Sequence, residues 1–197
     1  MQRRTVILAA GDFPRKGTHP REMLDSAVRV VCCDGAADAY RRHVGREPHA
    51  VVGDCDSVRG RFANVVRIPE QDTNDLEKAV RHCRRQGWRN LVVVGATGRR
   101  EDHAIGNVFR ALDLGVEVAT ERGVFRPVEG EAALRVRKGC AISVFAPHPG
   151  TKMESSGLEW PLGPLESPGL YNATLNRATS SRVVLRSSRP VMVFVQW

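Results

Sequence analysis

The stretch VRVVCCDGAADAYRRH, residues 28–43, changes its hydrophobic pattern in the middle. Residues 28–33 are a short run of Val and Cys around one Arg, which is typical of a strand buried on both faces. Asp34 and Gly35 interrupt the run, and residues 36–43 predict a helix. A buried strand followed by a turn and a helix is the unit from which parallel α/β sheets are built.

The same alternation continues through the first 120 residues. Further strands are predicted at 5–10, 50–52, 91–94 and 116–119, with a shorter one at 65–68. A helix is predicted from Asn74, which can cap it with Glu77 three residues later, to a stop at Gly87. A second helix ends at Gly115 and has an apolar stripe made of Ile105, Val108, Phe109 and Leu112. We therefore predict a mostly parallel sheet flanked by helices over residues 1–120.

The pattern is different in residues 121–197. Residues 129–150 and 180–197 predict short strands interrupted by Gly, Pro and Ser, and the segment 155–180 between them is rich in turn residues. We predict a small all-β sandwich domain here, so that the chain comprises an α/β domain (1–120) and a β domain (121–197).

Composition narrows the class of protein. Of the 197 residues, 42% are apolar and 26% are charged, which is ordinary for a soluble globular protein. No apolar run approaches the roughly 20 residues of a membrane-spanning helix. The apolar run near the N-terminus, residues 6–10, is too short for a signal peptide, so we predict a cytoplasmic protein with no membrane partner. Its five cysteines form no C-x-x-C pair and are expected to be small buried residues.

The formal net charge of +8 favours anionic partners. The arginines are dispersed and only 6% of residues are aromatic, so neither a basic arm nor a base-stacking surface is evident. We expect anionic small molecules such as nucleotides rather than nucleic acid.

Acidic residues follow the predicted strands. Asp34 follows the second strand and Asp54 and Asp56 the third, while Asp72 and Asp75 lie at a helix start. Ligands of parallel sheets bind beyond the carboxyl ends of the strands, where these groups can converge. Converging carboxylates indicate a hard cation such as Mg²⁺, with Asp54 and Asp56 as ligands and Asp75 as a third. The alternative is that these aspartates cap helices and fill turns.

A phosphate site is indicated after the strand at 91–94. The chain has no G-x-x-x-x-G-K-[ST] and no G-x-G-x-x-G motif. Residues 95–98, GATG, can still present backbone N–H groups to a phosphate, with Arg99 and Arg100 adding positive charge. His103 is either catalytic or a helix-start histidine bonded to a neighbour.

Five ordered blocks resemble the thiamine pyrophosphokinase family. They are DGAAD (34–38), PHAVVGDCDS (48–57), QDTNDLEKA (71–79), GATGRREDHAIGN (95–107) and SSGLEW (155–160). The resemblance implies an α/β domain, a β-sandwich domain that binds thiamine and dimerises, and a homodimer with shared active sites. It also implies an enzyme that uses Mg²⁺ and transfers a pyrophosphoryl group from ATP to the hydroxyl of thiamine, giving thiamine diphosphate and AMP.

The resemblance also implies roles for individual residues. Asp54, Asp56 and Asp75 would bind the metal beside Asp34. The nucleotide would meet Asp34, Lys78, Gly98, Arg100, Asp102 and His103. Thiamine would meet Gln71, Asp72, Trp160 and Asn176, with Trp160 stacking on it from the partner subunit. The catalytic residues would be Asp54, Asp72, Asp75 and Asp102, and either Asp72 or Asp75 would accept the proton.

Three positions depart from the family pattern: Asp38 replaces Asn, Arg99 replaces Gly, and Leu175 replaces Ser. These departures put substrate affinity and nucleotide preference in question more than the class of reaction.

Two other functions fit the residues taken alone: a Mg²⁺-dependent phosphohydrolase of nucleotides or diphosphates, and a non-catalytic nucleotide-binding regulator.

Overall fold

The chain forms two compact units. A computed structural model describes residues 4–163 and 169–197. One unit comprises Met1–Arg110 with Val118–Glu121, and the other comprises Ala111–Glu117 with Arg122–Trp197.

The first unit is built on a parallel sheet. Its strands are β1 Thr5–Leu8, β2 Arg29–Cys33, β3 Ala50–Gly53, β4 Val65–Arg67, β5 Leu91–Val94 and, in its last two residues, β6 Glu117–Ala119. They lie in the order β6-β5-β1-β2-β3-β4, and β1 pairs in parallel with both β2 and β5, as β3 does with both β2 and β4. Every residue of β1 and β3 is buried. The predicted mostly parallel sheet is confirmed.

Helices cover this sheet. They are α1 His19–Asp25, α2 Ala36–Val44, α3 Asp75–Arg85 and α4 Glu101–Asp113. The predicted cap of α3 is confirmed, because the Asn74 side chain accepts a 3.0 Å hydrogen bond from the Glu77 backbone N–H. α3 packs against β1, β2 and β3, and α2 packs against β2. Helix α1 was not predicted from the sequence, because its seven residues are too few to show an apolar period.

The apolar stripe predicted on α4 is partly wrong. Val108 and Leu112 are buried, but Ile105 is 61% exposed. None of residues 101–106 is buried, so this helix enters the core only with its later turns. The spacing alone does not distinguish the buried turns from the exposed ones.

The second unit is an antiparallel β structure centred on one long strand. Its strands are β7 Gly123–Arg135, β8 Ala141–Phe145, β9 Met153–Ser156, β10 Ala173–Arg177 and β11 Arg182–Gln196. β11 pairs with β7 along its length, with β9 at residues 184–187 and with β8 at residues 192–195. β10 pairs with β8.

The predicted sandwich is confirmed by the core of this unit. The register of β11 against β7 shifts between Ser187 and Val191, as at a β-bulge, which bends both strands. Leu185 before the shift and Val193 after it belong to one buried cluster, together with Ile142 of β8. The two halves of β11 therefore enclose a common core.

The turn-rich segment 155–180 contains one strand that was not predicted. Residues 173–177 form β10, whose pairing is irregular between Ala173 and Asn176. Leu175 lies there with a φ of 60°, so the alternation that marks a strand is broken. Residues 164–168 of the segment lie outside the described part of the chain.

Within residues 4–163 and 169–197, no helix is both long enough and apolar enough to cross a bilayer. All five cysteines are free; Cys32, Cys33, Cys83 and Cys140 are buried as predicted, while Cys55 is half-buried.

Burial of the central strands should dominate the stability of the first unit. Ile7, in β1, is 0% exposed, whereas Ile105 is 61% exposed. We expect Ile7→Ala to lower the free energy of unfolding by about 2–5 kcal/mol, because it leaves a cavity. The matched variant Ile105→Ala should change it by less than about 0.5 kcal/mol. Urea unfolding followed by circular dichroism measures both, and equal losses would contradict this packing.

Candidate active site

A cavity of about 520 Å³ opens at the carboxyl ends of the parallel strands. Gly11 follows β1, Cys33 ends β2, Asp54 follows β3, and Gly98 follows β5; all four line the cavity. The first two turns of α3 and of α4 complete the lining. This is the edge at which parallel α/β sheets bind ligands.

Three carboxylates converge beside this cavity. One oxygen each from Asp34, Asp54 and Asp56 lies within 4.8 Å of the others. Asp34 is buried, Asp54 half-buried and Asp56 exposed. The group contains two of the three predicted metal ligands, Asp54 and Asp56, together with Asp34, whereas Asp75 is not part of it. The Asp75 carboxylate instead forms an ion pair with buried Lys78, with 3.4 Å between Oδ1 and Nζ.

Unusual backbone conformations hold the three carboxylates in place. Asp34 has a φ of 39° and Cys55, between Asp54 and Asp56, a φ of 62°. Such left-handed conformations cost a non-glycine residue about 1–2 kcal/mol and cluster at functional sites. Gly53 is needed for close packing, because a Cβ atom there would lie 3.1 Å from both the Asp34 Cβ and the Asp75 Oδ1 atoms.

The carboxylates differ in their acidity. Burial is the main cause that raises the pKa of Asp34, helped by repulsion from Asp75, Asp56 and Asp54 and opposed by a hydrogen bond from Ser57. Burial also raises the pKa of Asp75, against the attraction of Lys78. The pKa of Asp54 is lowered, chiefly because the Gln71 Nε2 atom donates a hydrogen bond of 3.3 Å to its Oδ2 atom.

These residues fit a divalent cation. Within the described part of the chain, the Asp34 Oδ1 atom is buried and has no hydrogen-bond partner. A buried acceptor without a donor is costly, and two further carboxylates add repulsion. A Mg²⁺ ion would satisfy the orphan oxygen and neutralise the repulsion, and oxygen ligands are those it prefers.

The loop that carries Gln71 is anchored to α3. Glu70 accepts a hydrogen bond of 2.9 Å from Arg81 and one of 2.8 Å from the Thr73 hydroxyl. Arg81 also donates a 2.6 Å bond to Glu77. Gln71 lines the cavity, whereas Asp72 is exposed and is not among the described residues that line it.

The predicted nucleotide residues lie around the turn after β5. Gly98 has a φ of 79°, and a Cβ atom there would collide with the Asp12 carboxylate. Arg100 and His103 line the cavity. Arg100 is bonded to Asp102, with 2.6 Å between Nη2 and Oδ2, and this bond lowers the pKa of Asp102 to about 2. Asp102 itself is exposed and lies outside the lining, taken over the residues that the structure describes.

Sequence reasoning missed Asn107. Its side chain lines the cavity, donates a 3.1 Å hydrogen bond to the Ala96 carbonyl and lies 3.5 Å from the Asn74 amide nitrogen. It thereby links α4 to the turn after β5 and to the cap of α3. The signal was available, since Asn107 closes the block GATGRREDHAIGN.

The remaining predicted residues belong to the second unit. Trp160 is 58% exposed and Asn176 is buried. The Asn176 amide donates a 2.6 Å bond to the Trp160 carbonyl, and its oxygen accepts a 3.2 Å bond from the Trp160 backbone N–H. Asn176 therefore fixes the backbone that presents the exposed Trp160 ring.

Two of the three departures have a visible role or cost. The Asp38 oxygens accept bonds of 2.8 and 2.9 Å from the backbone N–H groups of Arg59 and Gly60, and an asparagine has only one acceptor oxygen for the two. Arg99 adopts a φ of 57°, which a glycine would adopt without strain. Nothing in the structure explains leucine at position 175, which is 86% exposed.

The raised pKa of Asp34 predicts an effect of removing its charge. A group whose pKa is higher in the folded state favours folding fully below its unfolded pKa of about 4, and loses that contribution as the pH rises through the folded pKa. In the presence of a chelator at pH 7, Asp34→Asn should therefore raise the free energy of unfolding, and this advantage should shrink as the pH falls towards 4.

The same variant should lose its response to Mg²⁺. Added Mg²⁺ should raise the melting temperature of the wild type, since a ligand of the folded state stabilises it, but not that of Asp34→Asn. Differential scanning calorimetry with and without Mg²⁺ checks both expectations. A wild-type shift in the variant would remove Asp34 from the metal site.

Comparisons with known proteins agree with this geometry. Residues 20–120 match the family model described as thiamin pyrophosphokinase, catalytic domain, and residues 123–194 match thiamin pyrophosphokinase, substrate-binding domain. The chain is 30% identical over 190 residues to thiamin pyrophosphokinase 1 of Caenorhabditis elegans, covering 84% of this chain and 78% of that protein.

Solved structures share the fold. The thiamin pyrophosphokinase of Candida albicans superposes with a TM-score of 0.80 at 13% identity, covering 98% of this chain and 88% of that one. The thiamin pyrophosphokinase of Geobacillus thermodenitrificans gives a TM-score of 0.75 at 22% identity and covers 98% and 96%. The two family models and the relative from Caenorhabditis elegans show that the chain belongs to the thiamin pyrophosphokinase family.

Proposed function

We propose that the protein transfers a pyrophosphoryl group from ATP to the hydroxyl of thiamine, giving thiamine diphosphate and AMP. The observation that carries this proposal is the group of Asp34, Asp54 and Asp56 beside a cavity that Lys78 and Arg100 also line. Carboxylates that can hold a cation, next to basic side chains, suit a triphosphate substrate. Membership of the family supplies the acceptor, thiamine.

Asp54, Asp56 and Asp34 would hold the Mg²⁺ ion. When bound, the ion neutralises negative charge on the phosphate oxygens. Asp75 stays a further candidate ligand, although its carboxylate is paired with Lys78. Gln71 keeps Asp54 charged by donating a hydrogen bond to it.

Basic groups and backbone N–H groups would position the triphosphate. Arg100 and Lys78 line the cavity as cations, and the turn at Gly98 allows the backbone to approach a phosphate closely. His103 lines the cavity from the first turn of α4. Asp102 acts through Arg100, since the ion pair between them orients the guanidinium group.

The reaction consists of one in-line displacement. The thiamine hydroxyl oxygen attacks the β-phosphorus of ATP, the bond from that phosphorus to the oxygen of AMP breaks, and AMP leaves. The hydroxyl proton passes to a carboxylate. Asp75 has better support for this role than Asp72, because Asp75 lines the cavity and burial raises its pKa, whereas Asp72 is exposed.

The second unit would bind the acceptor. We propose that residues 121–197 form a thiamine-binding and dimerisation domain, residues 1–120 the catalytic domain, and that the enzyme is a homodimer. The resemblance implies that Trp160 of one subunit stacks on thiamine bound by its partner, with Asn176 holding the Trp160 backbone and Gln71 and Asp72 completing the acceptor site. The exposed Trp160 ring supports this arrangement.

Five free cysteines favour a reducing compartment, and we place the reaction in the cytoplasm.

Turnover tests the reaction directly. We expect the protein, incubated with ATP, Mg²⁺ and thiamine, to form AMP and thiamine diphosphate in equal amounts, and neither product when thiamine or Mg²⁺ is omitted. Chromatography of the products measures both. AMP or phosphate formed without thiamine would instead indicate a phosphohydrolase, and binding of ATP without any product would indicate a nucleotide-binding regulator.

Substitutions of the aspartates separate their roles. Asp54→Asn and Asp75→Asn should each lower kcat by roughly a hundredfold or more, because one weakens cation binding and the other removes the proton acceptor. Asp72→Asn removes the other candidate for the proton acceptor and should raise KM for thiamine while leaving kcat nearly unchanged. All three should melt within a few degrees of the wild type. A large loss of kcat in Asp72→Asn alone would assign the proton transfer to Asp72.

Substitution of Trp160 should weaken the binding of thiamine more than the binding of ATP. Trp160→Ala should raise KM for thiamine roughly tenfold, as expected for the loss of an aromatic stacking contact, and leave KM for ATP within about twofold. Trp160→Phe should recover part of the affinity. Because the ring is exposed, the melting temperature should hardly change. Steady-state kinetics with each substrate varied in turn would show an unchanged KM for thiamine if Trp160 does not touch it.

A further inference from the structure

Three cations line the cavity in the first unit, and they differ in their partners. Lys78 is paired with Asp75 at 3.4 Å, and Arg100 is paired with Asp102 at 2.6 Å. Over residues 4–163 and 169–197, Arg99 has no carboxylate within ion-pairing distance. Its side chain is exposed to the cavity with its positive charge uncompensated.

A hydrogen bond joins the Arg99 guanidinium group to the loop after β1. Its Nη1 atom donates a 3.1 Å hydrogen bond to the Ala10 carbonyl, in the loop after β1. That loop is joined to the turn after β5 by two backbone hydrogen bonds, from Gly11 to Gly95 at 2.7 Å and from Asp12 to Thr97 at 2.9 Å. A guanidinium group has five N–H donors, and one of them is used here. The others remain available on a group that is already ordered.

An arginine at this position carries a cost. Its φ of 57° lies in the left-handed region, which disfavours side chains other than glycine by about 1–2 kcal/mol. The family pattern has glycine here, and glycine would form this turn without strain. In this chain the position instead carries a cation that has a strained backbone and no ion-pair partner in the described part of the chain. A contact between the Arg99 side chain and an anionic ligand would explain why a strained residue is present at this position.

We propose that Arg99 binds the phosphate chain of the nucleotide by donating hydrogen bonds to it. This contact would occur only in chains that have arginine in place of this glycine. The guanidinium group bridges the Ala10 carbonyl and a phosphate oxygen, which closes the two loops over the anion. The identity of the anion as ATP rests on the proposed function, whereas the affinity of the cavity for a polyphosphate does not.

Two substitutions of Arg99 separate its charge from its contact with Ala10. Arg99→Gly relieves the backbone strain and removes both, while Arg99→Gln keeps a donor for the Ala10 carbonyl and removes the charge. We expect both variants to bind ATP and inorganic tripolyphosphate roughly tenfold more weakly than the wild type in isothermal titration calorimetry. Arg99→Lys, which keeps a charge without the planar fork, should fall between them and the wild type.

Arg135→Gln is the matched control for net charge. Arg135 is an exposed residue at the end of β7, and its substitution should leave both affinities within about twofold of the wild-type values. Unchanged affinity in Arg99→Gly would overturn the proposal. So would weak binding in Arg99→Gly combined with wild-type binding in Arg99→Gln, because the contact with Ala10 would then be sufficient.

The outcome is independent of the proposed reaction. The titrations need no turnover, so failure of the wild type to form thiamine diphosphate would contradict the proposed function and leave the test of Arg99 intact. In the active enzyme, Arg99→Gly should raise KM for ATP and leave KM for thiamine unchanged. An equal rise in both KM values would point to a general distortion of the cavity and would also overturn the proposal.

Discussion

Electrostatic repulsion among Asp34, Asp54 and Asp56 is the constraint on which the site depends. Three carboxylates within 4.8 Å of one another would separate if the chain were free to move. They stay together because β2 and β3, which they follow, are buried neighbours in one sheet. The hydrophobic burial of these strands therefore opposes the repulsion, and binding of a cation relieves it. Repulsion of this kind makes a group of carboxylates more stable with a bound cation than without one.

Much of the fold could be predicted because buried strands have a clear pattern. The prediction of 91–94 coincides with β5, and the cap at Asn74 was found from the spacing to Glu77. Elements with weak local patterns were missed: α1 is too short to show a period, and the left-handed Leu175 breaks the alternation in β10. The stripe on α4 was predicted one turn too long, since spacing does not show where a helix leaves the core.

The composition of the site was harder to predict than its location. Carboxylates after the strands pointed to the edge of the sheet at which the cavity lies, but which of them meet depends on the order of the strands. β2 and β3 lie side by side, so Asp34 joins Asp54 and Asp56. Asp75 begins α3, where its carboxylate forms an ion pair with Lys78. The strand order is not encoded in a local pattern, whereas the i,i+3 spacing of Asp75 and Lys78 on a helix is a local signal that could have been used.

The central position of β11 has a consequence for how the second unit is made. β7, β8 and β9 all pair with β11, which follows them in the chain. During synthesis on the ribosome, the earlier strands emerge first and must wait with unpaired edges until β11 is available. In the first unit, β2 and β3 pair only with strands next to them in the sequence, whereas β1 also pairs with β5, which is made after β2, β3 and β4. Chaperones that shield exposed strand edges should therefore bind the nascent β domain until β11 has emerged.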